Sequence, residues 1–209
     1  MPTGHALHDV GPERRGPAIA IQHQQGIASW AKLVEELTDP RLVEQVDAAG
    51  TALLNALVEG HTLLVAGNGG SAAIASHIAA EFIGKCIHDR APLPAVNLAE
   101  SLSSITAVGN DYGYEETFAR GVSALGRPGD VLLAMSTSGA SPNILRALQV
   151  ARDAGLRTIA LTGARGSNLH GAADHVLVVP STDTPRIQEV HMLWTHTWCE
   201  AVDVVCRES

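Results

Sequence analysis

The sequence TLLVAGNGGS occupies residues 62–71 and decides the fold. Its first half, residues 62–66, is a short apolar run typical of a buried parallel strand. Its second half is the glycine-rich turn Gly67-Asn68-Gly69-Gly70-Ser71, and apolar residues at helical spacing follow over residues 71–84. A strand, a tight turn and a helix in this order are typical of an α/β protein.

The same alternation continues along the chain. Further apolar runs predict strands at residues 95–98, 131–135, 158–161 and 176–179, and the stretches predicted as helices are 101–108, 114–125, 141–154 and 186–206. We therefore predict a doubly wound α/β fold with a mainly five-stranded parallel sheet flanked by helices. In such a sheet, ligands bind beyond the carboxyl ends of the strands, so function is expected in the loops there.

Two helices are predicted before the first strand, at residues 18–37 and 41–59, and the last predicted helix is long. Residues 1–17 are rich in Gly, Pro, Arg and His, and we predict a flexible N-terminal tail there. The remainder, residues 18–209, is predicted to form a single domain.

Composition and charge exclude several classes of function. The chain has 14 basic and 22 acidic residues, a formal net charge of -8, which argues against nucleic acid and anionic membranes as partners. No segment approaches the roughly 20 apolar residues of a membrane helix, and the tail lacks the apolar run of a secretory signal. We expect a cytoplasmic protein whose three cysteines, Cys86, Cys199 and Cys206, are reduced thiols.

Two of the predicted loops suit a phosphate group. In the first, residues 67–71, small residues let backbone N–H groups approach an anion, but the spacing matches neither a dinucleotide fingerprint nor a P-loop, so no nucleotide cofactor is expected. The second loop precedes a helix whose predicted N-cap is Ser141 and whose first residue is Pro142. Its hydroxyl groups belong to Ser136, Thr137, Ser138 and Ser141. Either loop alone is compatible with a plain turn or cap; two at one sheet edge favour a phosphorylated ligand.

Candidate acid, base and metal-binding groups lie on two predicted helices. His77 and Glu81 are four residues apart and share one helix face, where they can bind a metal or transfer a proton, or form a solvated surface pair. The last helix carries His191 and His196; we expect at least one histidine there to be functional and interpret His191 as structural. Asp111 is expected just after a helix, where it contacts ligand or caps the chain.

Taken together, these residues resemble the phosphoheptose isomerases of the sugar isomerase (SIS) fold family, from about Gly60 to the last helix. The matching motifs, in order, are Gly67-Asn68-Gly69-Gly70-Ser71, His77-x-x-x-Glu81, Gly109-Asn110-Asp111, Ser136-Thr137-Ser138-Gly139, and Arg186-Ile187-Gln188-Glu189 with His196. The resemblance implies the SIS fold and an aldose-ketose isomerase acting on a long-chain sugar phosphate, namely sedoheptulose 7-phosphate to manno-heptose 7-phosphate. It also implies a homotetramer with sites shared between subunits.

The resemblance also implies roles for individual residues. Glu81 and His196 would be the acid/base pair. Zinc would be bound by His77, Glu81, Gln188 and His196. The implied substrate-binding residues are Asn68, Gly69, Gly70, Ser71, Asn110, Asp111, Ser136, Thr137, Ser138, Ser141 and Gln188. Because Gln188 and His196 would lie about 12 Å apart along one helix, a shared ion requires that they lean together, a distorted helix start, or ligands from different subunits.

Two alternatives to this substrate and activity remain. An isomerase for an octulose phosphate in secondary metabolism would carry the same loops and the same acid/base pair. A non-catalytic SIS protein that binds a phosphosugar would need the phosphate loops but not both Glu81 and His196, and this chain has both.

Overall fold

The five predicted strands form one parallel sheet in the computed structural model, which describes residues 16–169 and 171–207. Neighbouring strands follow the order β2-β1-β3-β4-β5. The strands are β1 Leu63–Gly67, β2 Ala95–Asn97, β3 Val131–Ser136, β4 Arg157–Gly163 and β5 His175–Val179. The predicted doubly wound α/β fold is therefore confirmed.

Seven α-helices flank this sheet within the described residues. They are α1 Ala18–Leu37, α2 Pro40–Val58, α3 Gly70–Ile83, α4 Leu102–Tyr112, α5 Thr117–Leu125, α6 Pro142–Asp153 and the long C-terminal α7 Thr184–Val205. None of these helices is long and apolar enough to cross a membrane. The predicted flexible tail covers residues 1–17, of which 1–15 lie outside the described residues. The single-domain assignment of residues 18–209 stays a prediction.

Alternating side chains of the strands build a hydrophobic core on each face of the sheet. On β1, Leu63 and Val65 face a core that includes residues of α2, α3 and α7. Leu64 and Ala66 face the other core, which includes residues of α5 and α6. All four side chains are fully buried. This explains why the strand is a continuous apolar run rather than an alternating one.

Two predicted helix boundaries are wrong. The helix predicted to end at residue 108 continues to Tyr112, because Gly109 is accommodated inside it and Gly113, with φ of 94°, ends it. The helix predicted over residues 114–125 is instead a 3₁₀ turn, Tyr114–Glu116, followed by α5.

Sheet register places the two glycine- and serine-rich loops side by side. β1 and β3 are adjacent parallel strands, and Gly67 at the end of β1 pairs with Met135 near the end of β3. Both loops therefore leave the carboxyl edge of the sheet at the same level, where a ligand is expected to bind.

Candidate active site

The first loop is shaped by glycines at two positions. Gly69 has φ of 54° and ψ of -119°, a conformation that side chains with a Cβ atom rarely adopt. A Cβ atom on Gly70 would lie 2.5 Å from the Gln188 side-chain nitrogen, so the absence of a side chain lets Gln188 of α7 reach the start of α3. Ser71 is buried, and its N–H donates to the carbonyl of Asn68 at 2.9 Å.

A pair of asparagines joins this loop to α6. Asn68 Nδ2 donates to Asn143 Oδ1 at 2.8 Å, and Asn143 Nδ2 donates back to Asn68 Oδ1 at 2.9 Å. Tyr114 also donates its hydroxyl to Asn68 Oδ1 at 2.9 Å. Sequence reasoning missed Asn143. Its signal in the sequence was a short amide directly after Pro142, at the start of the helix that follows the second loop, and in the structure it is the one polar residue among the buried residues of α6.

The second loop places two of its hydroxyl groups together. Ser136 and Ser141 lie with their Oγ atoms 2.9 Å apart, and Ser138 Oγ accepts from the N–H of Ala140. Ser141 occupies the N-cap position of α6 and Pro142 the first helical position, as predicted, but the Ser141 side chain makes no cap hydrogen bond. The hydroxyl turns instead toward Ser136. Ser136 is buried, Thr137 is half-buried and Ser138 is exposed.

Asn110 and Asp111 lie in the last turn of α4, so the predicted position of Asp111 just after a helix is wrong. Asn110 Nδ2 donates to Asp111 Oδ1 at 2.7 Å, and both side chains are exposed. Their exposure leaves the Asp111 carboxylate open to a ligand or to a neighbouring chain.

Three residues predicted as metal ligands meet between α3 and α7. His77 Nε2 lies 3.0 Å from His196 Nε2 and 3.4 Å from Glu81 Oε1. Glu81 Oε2 is 3.9 Å from His196 Nε2. The Glu81 side chain is 17% exposed, so the carboxylate is largely enclosed but remains open to solvent. The arrangement can bind a cation or exchange a proton with a bound molecule.

Gln188 lies apart from these three side chains along the helices. It contacts Gly70 at the start of α3, and His77 and Glu81 lie about 10 Å and about 16 Å further along that helix. Since Gln188 meets Gly70 and His196 meets His77, α3 and α7 run in the same direction. The predicted fourth metal ligand is therefore at the phosphate-loop end of α3.

His191 occupies the core, in agreement with its interpretation as a structural residue. The ring is fully buried, stacks on Trp194 with centroids 6.3 Å apart, and lies 3.4 Å from the Thr162 carbonyl. Burial lowers the pKa of His191 from 6.5 to about 4, which the Thr162 contact only partly offsets. The imidazole is thus neutral at physiological pH.

Comparisons with known proteins agree on one family. The SIS domain model matches residues 27–163. A phosphoheptose isomerase of Bradyrhizobium sp. (strain ORS 278) is 47% identical over 181 residues, 87% of this chain and 91% of that protein. One of Rhodospirillum rubrum is 50% identical over 163 residues, 77% of this chain and 85% of that protein.

Solved structures give the same result. The phosphoheptose isomerase of Neisseria gonorrhoeae has a TM-score of 0.78 at 37% identity, over 90% of this chain and 97% of that one. The phosphoheptose isomerase of Francisella tularensis has a TM-score of 0.79 with the same identity and coverage. The SIS domain model spans β1 to β4, and each of the two structures covers 90% of this chain.

Proposed function

The chain belongs to the phosphoheptose isomerases of the SIS domain family, and we propose from this that it isomerises sedoheptulose 7-phosphate to manno-heptose 7-phosphate. The structural observation that carries the proposal is the placement of Glu81 against His77 and His196, with a carboxylate and two imidazoles within 3.4 to 3.9 Å. An aldose-ketose isomerase needs a base and a proton donor at adjacent carbons, and this group offers both.

In the proposed reaction, Glu81 removes the proton from the carbon beside the carbonyl, and the electron pair forms an enediol. His196 donates a proton to the carbonyl oxygen as the enediol forms. Glu81 then returns its proton to the former carbonyl carbon. His196 takes a proton back from the hydroxyl group that becomes the new carbonyl. The partial enclosure of Glu81 supports the role of a base, since water competes poorly for an enclosed carboxylate.

The same side chains suit a zinc ion. Ligand atoms around tetrahedral zinc lie about 3.3 Å apart when the bonds are 2.0–2.1 Å, and the two imidazole nitrogens here are 3.0 Å apart. We assign His77, Glu81 and His196 as ligands from one chain. Gln188 of the same chain lies at the other end of α3, beside Gly70, so as a fourth ligand it would have to come from another subunit. Zinc bound there would polarise a sugar oxygen.

The two loops at the sheet edge are assigned to the phosphate and the sugar chain. Ser71 and the second loop, Ser136, Thr137, Ser138 and Ser141, would hold the phosphate. Asn68, Gly69, Gly70, Asn110, Asp111 and Gln188 would border the sugar. Binding energy at the phosphate end then orients the reacting end of the substrate.

The two groups of residues are widely separated within one chain. The phosphate loops lie at the start of α3, and Glu81 lies about 16 Å along it. An open seven-carbon phosphate is shorter than this, so we infer that a complete site combines loops and base from different subunits of a homotetramer. Exposed apolar residues of α1, Ile19, Ile27 and Val34, support association with other copies. We assign the enzyme to the cytoplasm.

A panel of C5 to C8 ketose phosphates, followed by NMR, tests the proposed function. We expect turnover of sedoheptulose 7-phosphate without added nucleotide. If an octulose phosphate is turned over faster, the substrate is the octulose phosphate. If sugar phosphates bind but none is turned over, the proposal that the chain is an isomerase is wrong. The relatives described above are phosphoheptose isomerases, so neither alternative receives support from them.

A further inference from the structure

Glu81 belongs to a second cluster of potential metal ligands, formed with two cysteines. Its carboxylate and the thiols of Cys86 and Cys199 lie within 4.8 Å of one another. Cys199 lies on α7 and is buried, whereas Cys86 follows the end of α3 and is half-buried. This cluster shares only Glu81 with the histidine group described above.

Cys86 is fixed in place by a buried ion pair. Asp203 Oδ2 accepts hydrogen bonds from the N–H groups of Cys86, Ile87 and His88 at 2.7 to 3.0 Å. Arg90 Nε donates to the other Asp203 oxygen at 2.7 Å, and both side chains are fully buried. The guanidinium also donates to backbone carbonyls at the end of α3, including that of Glu81. The backbone carrying Cys86 is therefore ordered before any ligand binds.

The three ligand atoms lie near enough to one another to be drawn into a tetrahedral thiolate site. Around zinc, bonds of about 2.3 Å to sulfur and 2.0–2.2 Å to oxygen put the ligand atoms about 3.5–3.8 Å apart. The three atoms lie within 4.8 Å of one another, and rotation of the half-buried Glu81 and Cys86 side chains toward the buried Cys199 would bring them to this separation. These three protein ligands and one water molecule would give a four-coordinate ion.

The local charge of the cluster favours the binding of a cation. The Glu81 carboxylate lies within 4.8 Å of both sulfur atoms, so a cation bound between them would be attracted to it. The Arg90 guanidinium near Cys199 is already neutralised by Asp203.

We propose that Glu81, Cys86 and Cys199 bind a thiophilic divalent ion such as Zn²⁺ or Cd²⁺ at a site separate from the histidine group. On binding, each thiol loses its proton to solvent, so two thiolates and one carboxylate surround the ion. Because this ion would draw the Glu81 carboxylate toward the two cysteines, it would move it away from His77 and His196, where the proposed isomerase reaction uses it.

Cobalt is the probe for this site, because a thiolate ligand produces an intense thiolate-to-cobalt charge-transfer band that imidazole and carboxylate ligands do not. We expect the full-length protein, reduced and metal-free, to develop this band on titration with Co²⁺. Cys86→Ser and Cys199→Ser should lose it. Cys206→Ser, at the third cysteine of the chain, is the matched control and should retain it, as should His77→Asn.

Two results would overturn the proposal. One is a wild-type cobalt spectrum without a thiolate band at saturating metal, and the other is a band that survives in Cys86→Ser. Cys199 is buried, so its variant is checked for native circular dichroism, and Cys86→Ser, at a half-buried position, decides the outcome if Cys199→Ser does not fold.

A second readout concerns inhibition and rests on the proposed function. Cd²⁺ should inhibit the isomerase reaction of wild type and of Cys206→Ser, and the concentration giving half inhibition should rise in Cys86→Ser. Each rate is taken relative to that of the same variant before Cd²⁺ is added. Equal sensitivity of Cys86→Ser and wild type would refute the link to Glu81. If the chain does not isomerise any sugar phosphate, the cobalt band still tests the site by itself.

Discussion

Asn68 and Asn143 form a reciprocal amide pair across 75 residues of sequence, with hydrogen bonds of 2.8 and 2.9 Å. Asn143 is almost fully buried, and its Nδ2 also lies 3.3 Å from the Thr117 hydroxyl. The pair fixes the first loop to the start of α6, next to the second loop. The amide pair therefore adds to the pairing of β1 with β3 in setting the relative position of the two proposed phosphate-binding loops.

Asn143→Asp tests this dependence, because it keeps the side-chain shape but removes both N–H donors. We expect a loss of about 1–3 kcal/mol in the free energy of unfolding, since buried acceptors lose their partners. KM should rise more than kcat falls, since the change acts on binding rather than on proton transfer. Urea unfolding and steady-state kinetics measure the two effects.

Gln149→Glu is the matched control for this amide-to-carboxylate change. Gln149 lies on the exposed side of the same helix, where its amide contacts Asp153. We expect a change within about 0.5 kcal/mol there. An unchanged KM in Asn143→Asp would mean that the amide pair stabilises the fold without aligning the loops.

Glu81→Gln and His196→Asn test the proposed acid/base pair. Each variant keeps a similar side-chain size and removes the capacity to accept or donate the proton, so kcat should fall by about a hundredfold or more. Affinity for the sugar phosphate should persist, because the phosphate loops lie at the other end of α3. Steady-state kinetics and calorimetric titration with substrate give the two quantities.

His61→Asn serves as the control for the histidine variant. His61 lies before β1 at the amino edge of the sheet, near Asp130 and Glu59, and is away from the proposed site. It should retain near wild-type kcat. Normal turnover by both Glu81→Gln and His196→Asn would show that the chemistry lies elsewhere.

Removal of metal should lower activity if His77, Glu81, Gln188 and His196 bind a catalytic ion. The ligands are one carboxylate, one amide and two imidazoles without a thiolate, so binding should be modest and chelation effective. The melting temperature should also fall, because the ion links α3 to α7. Activity assays and thermal unfolding, before and after zinc is returned, measure both; a fully active metal-free sample would exclude a catalytic metal.

The sequence predicted the fold well because each strand is a local feature. A buried parallel strand is an unbroken apolar run, and the run at residues 62–66 shows this without reference to any other segment. The helix that carries Asp111 was placed less well, because both Gly109 and Gly113 can end a helix and only the backbone conformation shows that Gly113 does.

The candidate site was predictable only in its residue types. His77 and Glu81 are visible as an i,i+4 pair, but the approach of His196, 119 residues away, depends on how α7 packs on α3. Ser141 illustrates a second limit. Its hydroxyl had two partners within reach, the helix N-terminus and Ser136, and packing of the loop selected Ser136.

The buried His191 predicts a pH dependence of stability. Because its pKa falls from 6.5 to about 4 on folding, the unfolded chain binds a proton in this range that the folded chain does not. The free energy of unfolding should therefore decrease as the pH falls from 6.5 to 4, by about 3 kcal/mol from this residue.

His191→Gln removes the titrating group while leaving a donor for the Thr162 carbonyl. The difference in unfolding free energy between wild type and variant, from urea titrations at pH 7 and pH 4, should shift by about 3 kcal/mol in favour of the variant at low pH. A difference that is constant over this range would show that His191 does not stay neutral in the folded protein.

The last prediction concerns the sharing of sites between subunits. A Ser136→Ala/Ser138→Ala variant should be inactive through loss of phosphate binding, and Glu81→Gln through loss of the base. If each site takes its loops from one subunit and its base from another, mixing the two variants under conditions that exchange subunits yields some sites with both parts intact. Random exchange would restore about a quarter of wild-type activity in such a symmetric assembly.

Mixing either variant with itself is the control and should restore nothing. A double variant that carries both defects in one chain should restore no activity with either parent, because one of the two parts is then defective in every chain. Subunit exchange is followed separately with differently tagged chains and mass spectrometry. Complete exchange without recovery of activity would show that the loops and Glu81 of one chain form the same site. The loops and Glu81, about 16 Å apart along α3, would then have to approach each other by movement within the subunit.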